Sequence, residues 1–430
     1  MSADGDDAPG GDSGVRTDGA GEDVVSSNRR TFEDIDWTAI EADSRRVPPL
    51  TALWWGLLTV LVSGLLFDAY WRFAPEIPDV PVLGLLARET GGAFSFPVVG
   101  VITPLTWLYA LTLLFVVFKA IVPLVRDRRM TMYYWREFRK NRLAVLSLVW
   151  LAVIFAIGTV GPLFLNTPKV APLEAYQPPV FMSVDSGVPV SCVGETINGR
   201  CHGTWEHPFG TTAQGKDILV SVIYGMKISM QVGLIGSFLV ILVASAVGLL
   251  AAYSRGWMDE ILMRYVDIQI TFPTFFLYLL VTFMFGGSLF NMIVIFGLFG
   301  WGGIARIVRS EALQRREEEY VLASENTGAG TWSVIRRHLL PNVSNSVITA
   351  VSLLIPSLIL FEAALAFLGL GDPTIPSWGE VIASGRRDLD RAVWISTLPG
   401  IFLFFTILAF NFVGDALRDA LDPRNVGGES

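Results

Sequence analysis

Eight stretches of this chain run about twenty residues each with almost no charge, at roughly 50–70, 101–125, 143–165, 229–253, 263–285, 289–309, 344–369 and 395–417. A helix needs about 20 mostly apolar residues to cross the hydrocarbon core of a bilayer. In lipid its backbone groups must be satisfied within the segment itself. The expected fold is therefore an all-α polytopic membrane protein with about eight transmembrane helices. Composition agrees, since 52% of the 430 residues are hydrophobic and only 17% charged, where soluble domains carry about 25%.

The charge that remains is uneven. Residues 1–50 hold twelve Asp/Glu against five Arg, a net of −7 within a chain total of −8. Residues 1–48, rich in Asp, Gly and Ser, read as a disordered acidic tail; without an apolar run they are not a signal peptide. Five lysines stand against 27 arginines. An acidic soluble face with little lysine suits the cytoplasm of a salt-loving microbe (a halophile), where the Debye length falls to about 3 Å at 1 M. No basic patch is interleaved with aromatics, so nucleic acid is not a partner; the lipid bilayer of the cell membrane is.

Arg and Lys in short loops set the orientation. The segment 126–142 carries seven basic and two acidic residues and is assigned to the cytoplasm. By parity both termini, the turn at 254–262 and the loop 310–343 lie inside; the loops 71–100, 166–228 and 370–394 lie outside. The organisation expected is an acidic cytoplasmic tail (1–48), two leading spans (49–126), an elbow helix with the first core span (127–165), an outer loop (166–227), a helical core (228–417) and a cytoplasmic tail (418–430). Within 132–142, Tyr134, Trp135 and Phe138 fall on one helical face and Arg136, Arg139 and Lys140 on the other, which suits a helix lying in the headgroup plane. Ile218, Leu219, Val222, Ile223 and Met226 also keep helical spacing, and a helix running along the outer surface is expected there. Both stretches are alternatively the ends of neighbouring spans.

Few residues are placed for chemistry. Gly210–Asp217 (GTTAQGKD) nearly spells a phosphate-binding loop, but that motif ends in Ser or Thr for Mg²⁺ and joins a strand to a helix. Here the last residue is Asp217, so the match is accidental and no ATP or Mg²⁺ is expected on this chain. Cys192 and Cys201 both fall in the outer loop, where a disulfide is the favoured reading; free thiols and a metal pair with His202 or His207 are the alternatives. The three histidines (His202, His207, His338) divide between the two sides of the membrane, so neither a catalytic triad nor a metal site is expected. Charges inside spans are costly and usually functional. Asp68, Lys119 and Asp267 stand near span ends and can snorkel. Glu362 lies deep, either as a proton-coupling carboxylate or as a hydrogen-bonding group between helices.

The inner loop carries the strongest local signal. Glu319–Thr327 reads as a short helix, Gly328 as its stop, and Thr331–Leu340 as a second helix ending before Pro341. Such a unit is either a handle that another protein pushes or a solvated connector.

At this loop the chain resembles the binding-protein-dependent ABC permeases, whose EAA coupling loop matches the spacing Ala323…Gly328…Pro341. The resemblance covers 133–424 and is nearest to the C-type subunit of dipeptide and oligopeptide importers. It is carried by Tyr134-Trp135-Arg136, Phe138-Arg139-Lys140-Asn141, His207-Pro208-Phe209-Gly210-Thr211, Leu219…Ile223-Tyr224-Gly225, Arg306…Arg309, Glu362-Ala363-Ala364-Leu365, Phe367-Leu368-Gly369-Leu370-Gly371, Pro376-Ser377-Trp378-Gly379 and the closing Asn411…Gly414-Asp415…Asp422-Pro423-Arg424. The chain departs from the pattern at Leu322, the position of the EAA glutamate that is often replaced in this branch, at Ser324 for Ala, and at Lys216 for Arg. The two leading spans are additions to a six-span core.

The resemblance implies a type-I importer fold. It makes Glu319, Tyr320, Ala323, Ser324, Gly328, Ala329, Arg337, His338 and Pro341 the ATPase-coupling loop. Glu362, Gly369, Gly371, Trp378, Asn411, Gly414 and Asp415 become packing or gating positions. The implied partners are a B-type permease, two cytoplasmic ATPases that bind ATP and Mg²⁺, and an external solute-binding protein; the solute is a peptide, or nickel or an oligosaccharide as in related systems. A proton-coupled transporter using Glu362 is the alternative, but it predicts inverted repeats and several mid-membrane carboxylates, which are not found. A membrane anchor without transport leaves the dense core motifs unexplained.

Overall fold

The structure, a computed structural model, describes residues 48–73, 95–96, 100–101, 103–254 and 256–421. The expected disordered tail at 1–48 falls almost wholly outside them. Among the described residues seven helices are long and apolar enough to cross a membrane, or eight if one bent pair counts as a span.

Helix α1 spans Pro49–Phe73. A two-residue antiparallel pair follows, β1 (Ser95–Phe96) with β2 (Gly100–Val101). Helix α2 runs Pro104–Arg126 with a π-helical turn at Val117–Ile121. Asp68, expected to snorkel, is instead fully buried. Lys119 is exposed on the π turn.

The elbow forms as its own helix, α3 (Arg128–Phe138). The Asp127 carboxylate accepts the Met130 N–H at 3.2 Å, which starts the helix four residues earlier than the apolar spacing alone suggests. Phe138 turns inward against Ala144 and Ala416. Asn141 then caps helix α4 (Arg142–Phe164), accepting from Leu143 N at 3.0 Å and Ala144 N at 3.2 Å.

Helix α5 occupies Ile218–Ser254 without interruption. The surface helix expected over 217–230 is therefore the first third of this helix, and the outer loop closes at Asp217 rather than 227. At 1.5 Å per residue its 37 residues reach about 55 Å, well beyond a hydrocarbon core of about 30 Å. The apolar residues Ile218, Val222 and Met226 are buried against Trp378, Trp394 and Ile395. Their periodicity marks a protein-facing side, which spacing alone does not separate from a membrane-facing one.

Helices α6 (Trp257–Thr271) and α7 (Thr274–Phe285) cover the span expected over 263–285, which begins earlier and is bent by 68°. Pro273, between them, has no N–H to continue the ladder and biases Phe272 away from helix. Helices α8 (Leu289–Phe299) and α9 (Gly302–Arg316) make one span with a break at Gly300-Trp301. That span ends at Arg316 instead of 309, so the inner loop is shorter than expected.

Helix α10 (Glu319–Asn326) follows. Then α11 runs Thr331–Phe367, with a π-helical turn at Ile335–Leu339. The second helix of the inner loop was expected to stop before Pro341; instead it continues through it. A π turn widens the helix locally, which accommodates a ring that would otherwise collide with the preceding turn. Helices α12 (Trp378–Gly385) and α13 (Trp394–Leu421) are the last described, and α13 reaches past the boundary expected at 417. Helix α5 is the centre of the packing, touching α4, α8, α9 and α11, while α13 packs on α4, α11 and α12.

The segment between α4 and α5, expected on the outer side, is an ordered cap. Strands β3 (Ser183–Asp185), β4 (Thr196–Ile197) and β5 (Arg200–His202) pair antiparallel in the order β3-β5-β4. Cys192 and Cys201 are disulfide-bonded with Cα atoms 5.8 Å apart. The phosphate-loop look-alike is a helix cap: Asp217 accepts the Val220 N–H at 3.0 Å and holds His207 Nδ1 at 2.8 Å. The cap is tied to the later outer segment. Trp394 donates to the Thr211 carbonyl at 3.3 Å, and Arg391 lies 4.7 Å from the Tyr176 ring while also pairing with Asp388. Burial, then the Asp388 charge, pushes the Tyr176 hydroxyl above its ordinary pKa, keeping it a donor to that carboxylate.

Breaking the bridge should loosen this cap. Closing a loop of about ten residues stabilises by up to roughly 3 kcal/mol, so Cys192→Ser or Cys201→Ser should raise the protease sensitivity of the outer segment. Maleimide labelling of intact cells, before and after reduction, checks the bridge itself; equal labelling of both thiols without reductant contradicts it.

Candidate coupling site

The end of the fold opposite the cap, expected on the inner side, gathers α5, α9, α10 and the start of α11 around one apolar cluster. Leu249 and Ala252 come from α5, Ala305, Val308 and Ala312 from α9, Val321 from α10, and Val334, Ile335 and Leu339 from α11, all buried. Helix α10 has only eight residues and could not persist alone. Val321, fully buried, fastens it to the ends of the long helices.

The junctions are locked by polar contacts. The Arg316 guanidinium donates to the carbonyls of Ala252 at 2.9 Å and Tyr253 at 2.8 Å and lies 4.9 Å from the Tyr253 ring centroid. It thereby satisfies the last carbonyls of α5, which a helix leaves without partners. Replacing Arg316 with Ala should cost about 1.5–3 kcal/mol, the worth of charged hydrogen bonds, and Lys should recover only part because it lacks the planar fork. The thermal midpoint of the detergent-solubilised protein reads this out; a midpoint equal to wild type contradicts the locking role.

Gly328 ends α10 with φ +86. Its N–H donates to the Glu325 carbonyl at 3.0 Å, and the Ala329 N–H donates to the Ser324 carbonyl at 3.1 Å. This crossed pair is the Schellman ending, which calls for a left-handed residue. After Gly330 the chain enters α11, so the turn feeds directly into a span of 37 residues. Asn342 joins the two sides, donating to the Tyr320 hydroxyl at 3.1 Å and to the His338 carbonyl at 2.7 Å. The Tyr320 and His338 rings are 5.9 Å apart.

The positions read from sequence fall into distinct places. Glu319, Tyr320, Ala323, Gly328, Arg337 and Pro341 are exposed on this projection, with Ser324, Ala329 and His338 half-buried beneath them. Leu322 and Trp332 are also exposed, Trp332 at 70%. Trp332, the second residue of α11, was not among the expected site residues, and only the fold shows it turned outward. Arg316 was likewise missed, because its role depends on where α5 ends.

The second set does not join this site. Glu362 is buried beside a cavity with room for roughly one water molecule, lined also by Tyr278, Asp372 and Ser377. Gly369, φ +79, ends α11 with the same crossed bonds, Gly369 N–H to Ala366 and Leu370 N–H to Leu365, both at 2.9 Å. Gly371 packs on Ala366 so closely that a Cβ would stand 2.9 Å from its Cα. Trp378 is fully buried and donates to the Val222 carbonyl at 3.0 Å. Gly414 lets α13 approach Ser352 of α11, where a Cβ would meet another at 2.8 Å. Asn411 is half-buried and Asp415 exposed on the same helix. Glu362 and Gly371 thus share one small cavity, while Trp378 and Gly414 serve helix packing at other levels.

A polytopic helical core with a short helix-turn-helix projection packed against its spans has the architecture of a membrane transport component. Residues 244–426 match the family described as the binding-protein-dependent transport system inner membrane component. Residues 130–179 match the N-terminal TM domain of oligopeptide transport permease C. The oligopeptide transport system permease protein OppC of Salmonella typhimurium is 37% identical over 67% of this chain and 90% of its own length. The Haemophilus influenzae protein of the same description is 35% identical, over 67% and 87%. The dipeptide transport system permease protein DppC of Bacillus subtilis is 34% identical, over 67% and 84%. Among solved structures, an inward-facing MetNI methionine ABC transporter aligns with TM-score 0.40 at 18% identity, covering 48% of this chain and 98% of that one. The chain belongs to the binding-protein-dependent transport permeases, in their oligopeptide permease C branch.

Proposed function

We propose that this chain is the C-type permease subunit of an ATP-driven importer of oligopeptides or dipeptides, as the names of its relatives suggest. It would pair with a B-type permease, two cytoplasmic ATPases and an external solute-binding protein. Both termini and the projection Glu319–Arg337 lie in the cytoplasm, in keeping with the basic residues around 126–142. ATP and Mg²⁺ are used by the partners.

The observation that carries this reading is the continuity of the projection with α11. The exposed group Tyr320, Leu322, Ala323 and Trp332 offers a partner an apolar knob, while its buried underside is fixed to α5 and α9. Movement of a partner ATPase is thus passed to whole spans and not absorbed in a flexible loop. Two states of the helices, open inward and open outward, are then biased by contacts that differ between them.

The test is ATP hydrolysis by the purified chain and by the co-expressed complex. Alone, this subunit should neither bind nor hydrolyse ATP, and activity should appear only with the cognate ATPases. Hydrolysis proportional to the concentration of the isolated chain would sink the assignment.

A further inference from the structure

Two helix breaks face each other inside the membrane region. Gln269 lies about 18 Å along α6 from Trp257 and Gly302 about 21 Å along α9 from Arg316, both within stretches long and apolar enough to cross a membrane. Irregular backbone within such stretches persists where protein covers it or where it lines a path for polar solute. Trp301 precedes α9 without a side-chain cap. The first intrahelical bond there is Ala305 N–H to the Trp301 carbonyl, at 2.9 Å. The N–H groups of Gly302, Gly303 and Ile304 therefore have no helical acceptor, and the positive end of the α9 dipole rests among them.

A second observation points the same way. Gln269 is only 5% exposed, yet neither its amide oxygen nor its amide nitrogen has a hydrogen-bond partner among the described residues. Its amide oxygen is pressed against Gly302, where a Cβ would overlap it, which leaves the amide NH₂ as the donor. Leaving a buried amide unmatched is costly, so the group calls for a ligand. Arg306, one turn into α9, pairs with Asp267 on α6, so the guanidinium stands at the rim with its charge balanced by that carboxylate. Gly303 is exposed, with nothing within 4 Å of a Cβ position, which leaves the site open on one side.

We infer that the α9 N-terminus, the Gln269 amide and Arg306 form a transient site for the carboxylate of the passing solute, within the membrane region. Discontinuous spans whose half-helix N-termini meet anionic groups solve the same physical problem in other transporters. The identification of that carboxylate with a peptide C-terminus rests on the proposed peptide function.

The experiment uses the complete importer in liposomes, with Gln269→Cys in this subunit, whose two native cysteines are bridged. The new thiol is modified during ATP turnover by an anionic sulfonate or a cationic trimethylammonium methanethiosulfonate, and modification of this chain is followed by mass spectrometry. Each rate is divided by that reagent's rate with free cysteine. The anionic reagent should be favoured at least fivefold, and millimolar trialanine should slow it at least threefold. Equal normalised rates, a cationic preference, or no modification under turnover would overturn the inference. So would imported trialanine that gives no protection. If the wild-type importer takes up no trialanine, the peptide reading fails by itself, and the anionic preference still decides whether this is a carboxylate site. Gly303→Cys, at an open position, gives the same comparison if Gln269→Cys does not assemble.

Discussion

Gly328→Val should lower solute uptake tenfold or more while leaving the subunit inserted and assembled at near wild-type abundance. The residue sits at φ +86, a conformation that costs an L side chain about 1–2 kcal/mol and a β-branched one more. No heavy atom stands within 4 Å of where its Cβ would lie. The penalty therefore comes from the backbone turn and not from collision. The crossed bonds from Gly328 and Ala329 back to α10 hold the angle between α10 and α11, and a shift of 1–2 kcal/mol changes a two-state population by roughly five- to thirtyfold. Gly328→Asn should recover much of the loss, since Asn tolerates the left-handed region. Uptake assays with membrane abundance checked by blotting decide it; a Val variant that transports like wild type would show that the turn geometry does not matter.

Trp378→Ala should be the most destabilising single change in the outer half, at about 3–5 kcal/mol for a fully buried large side chain. The indole fills the space between α5 and α12, where a Cβ on Gly225 would overlap it, and its N–H satisfies the Val222 carbonyl. Truncation leaves both a cavity and a carbonyl without its donor. Trp378→Phe should fall between, because it keeps most of the volume and loses the bond. A thermal midpoint for the Ala variant within a degree of wild type would contradict this role.

The spans are legible because their signal is one-dimensional: twenty apolar residues suffice. Gly328 is legible for a similar reason, since a helix ending of this type asks for glycine whatever surrounds it. Errors arise where a local rule meets a tertiary neighbour. Pro341 reads as a stop, but a π turn at Ile335–Leu339 carries the helix through. Ile218, Val222 and Met226 read as a surface stripe, but Trp378 and Trp394 cover them. The 68° bend is foreshadowed by Phe272-Pro273 in the middle of an apolar run. Arg316, Gln269 and Trp332 leave no such trace. Their environments are set by residues that are distant in sequence or, for Trp332, by the outward turn of the whole projection.

One measurement separates import driven by a partner ATPase from the proton-coupled alternative that the buried Glu362 invites. The complete importer is placed in proteoliposomes and trialanine accumulation is followed, first with ATP supplied to the ATPase side and no proton gradient, then with an imposed gradient and no ATP. Accumulation should appear only with ATP, survive Glu362→Gln, whose amide can still hydrogen-bond, and disappear with Gly328→Val. Accumulation driven by the gradient alone, abolished by Glu362→Gln and untouched by Gly328→Val, would contradict it.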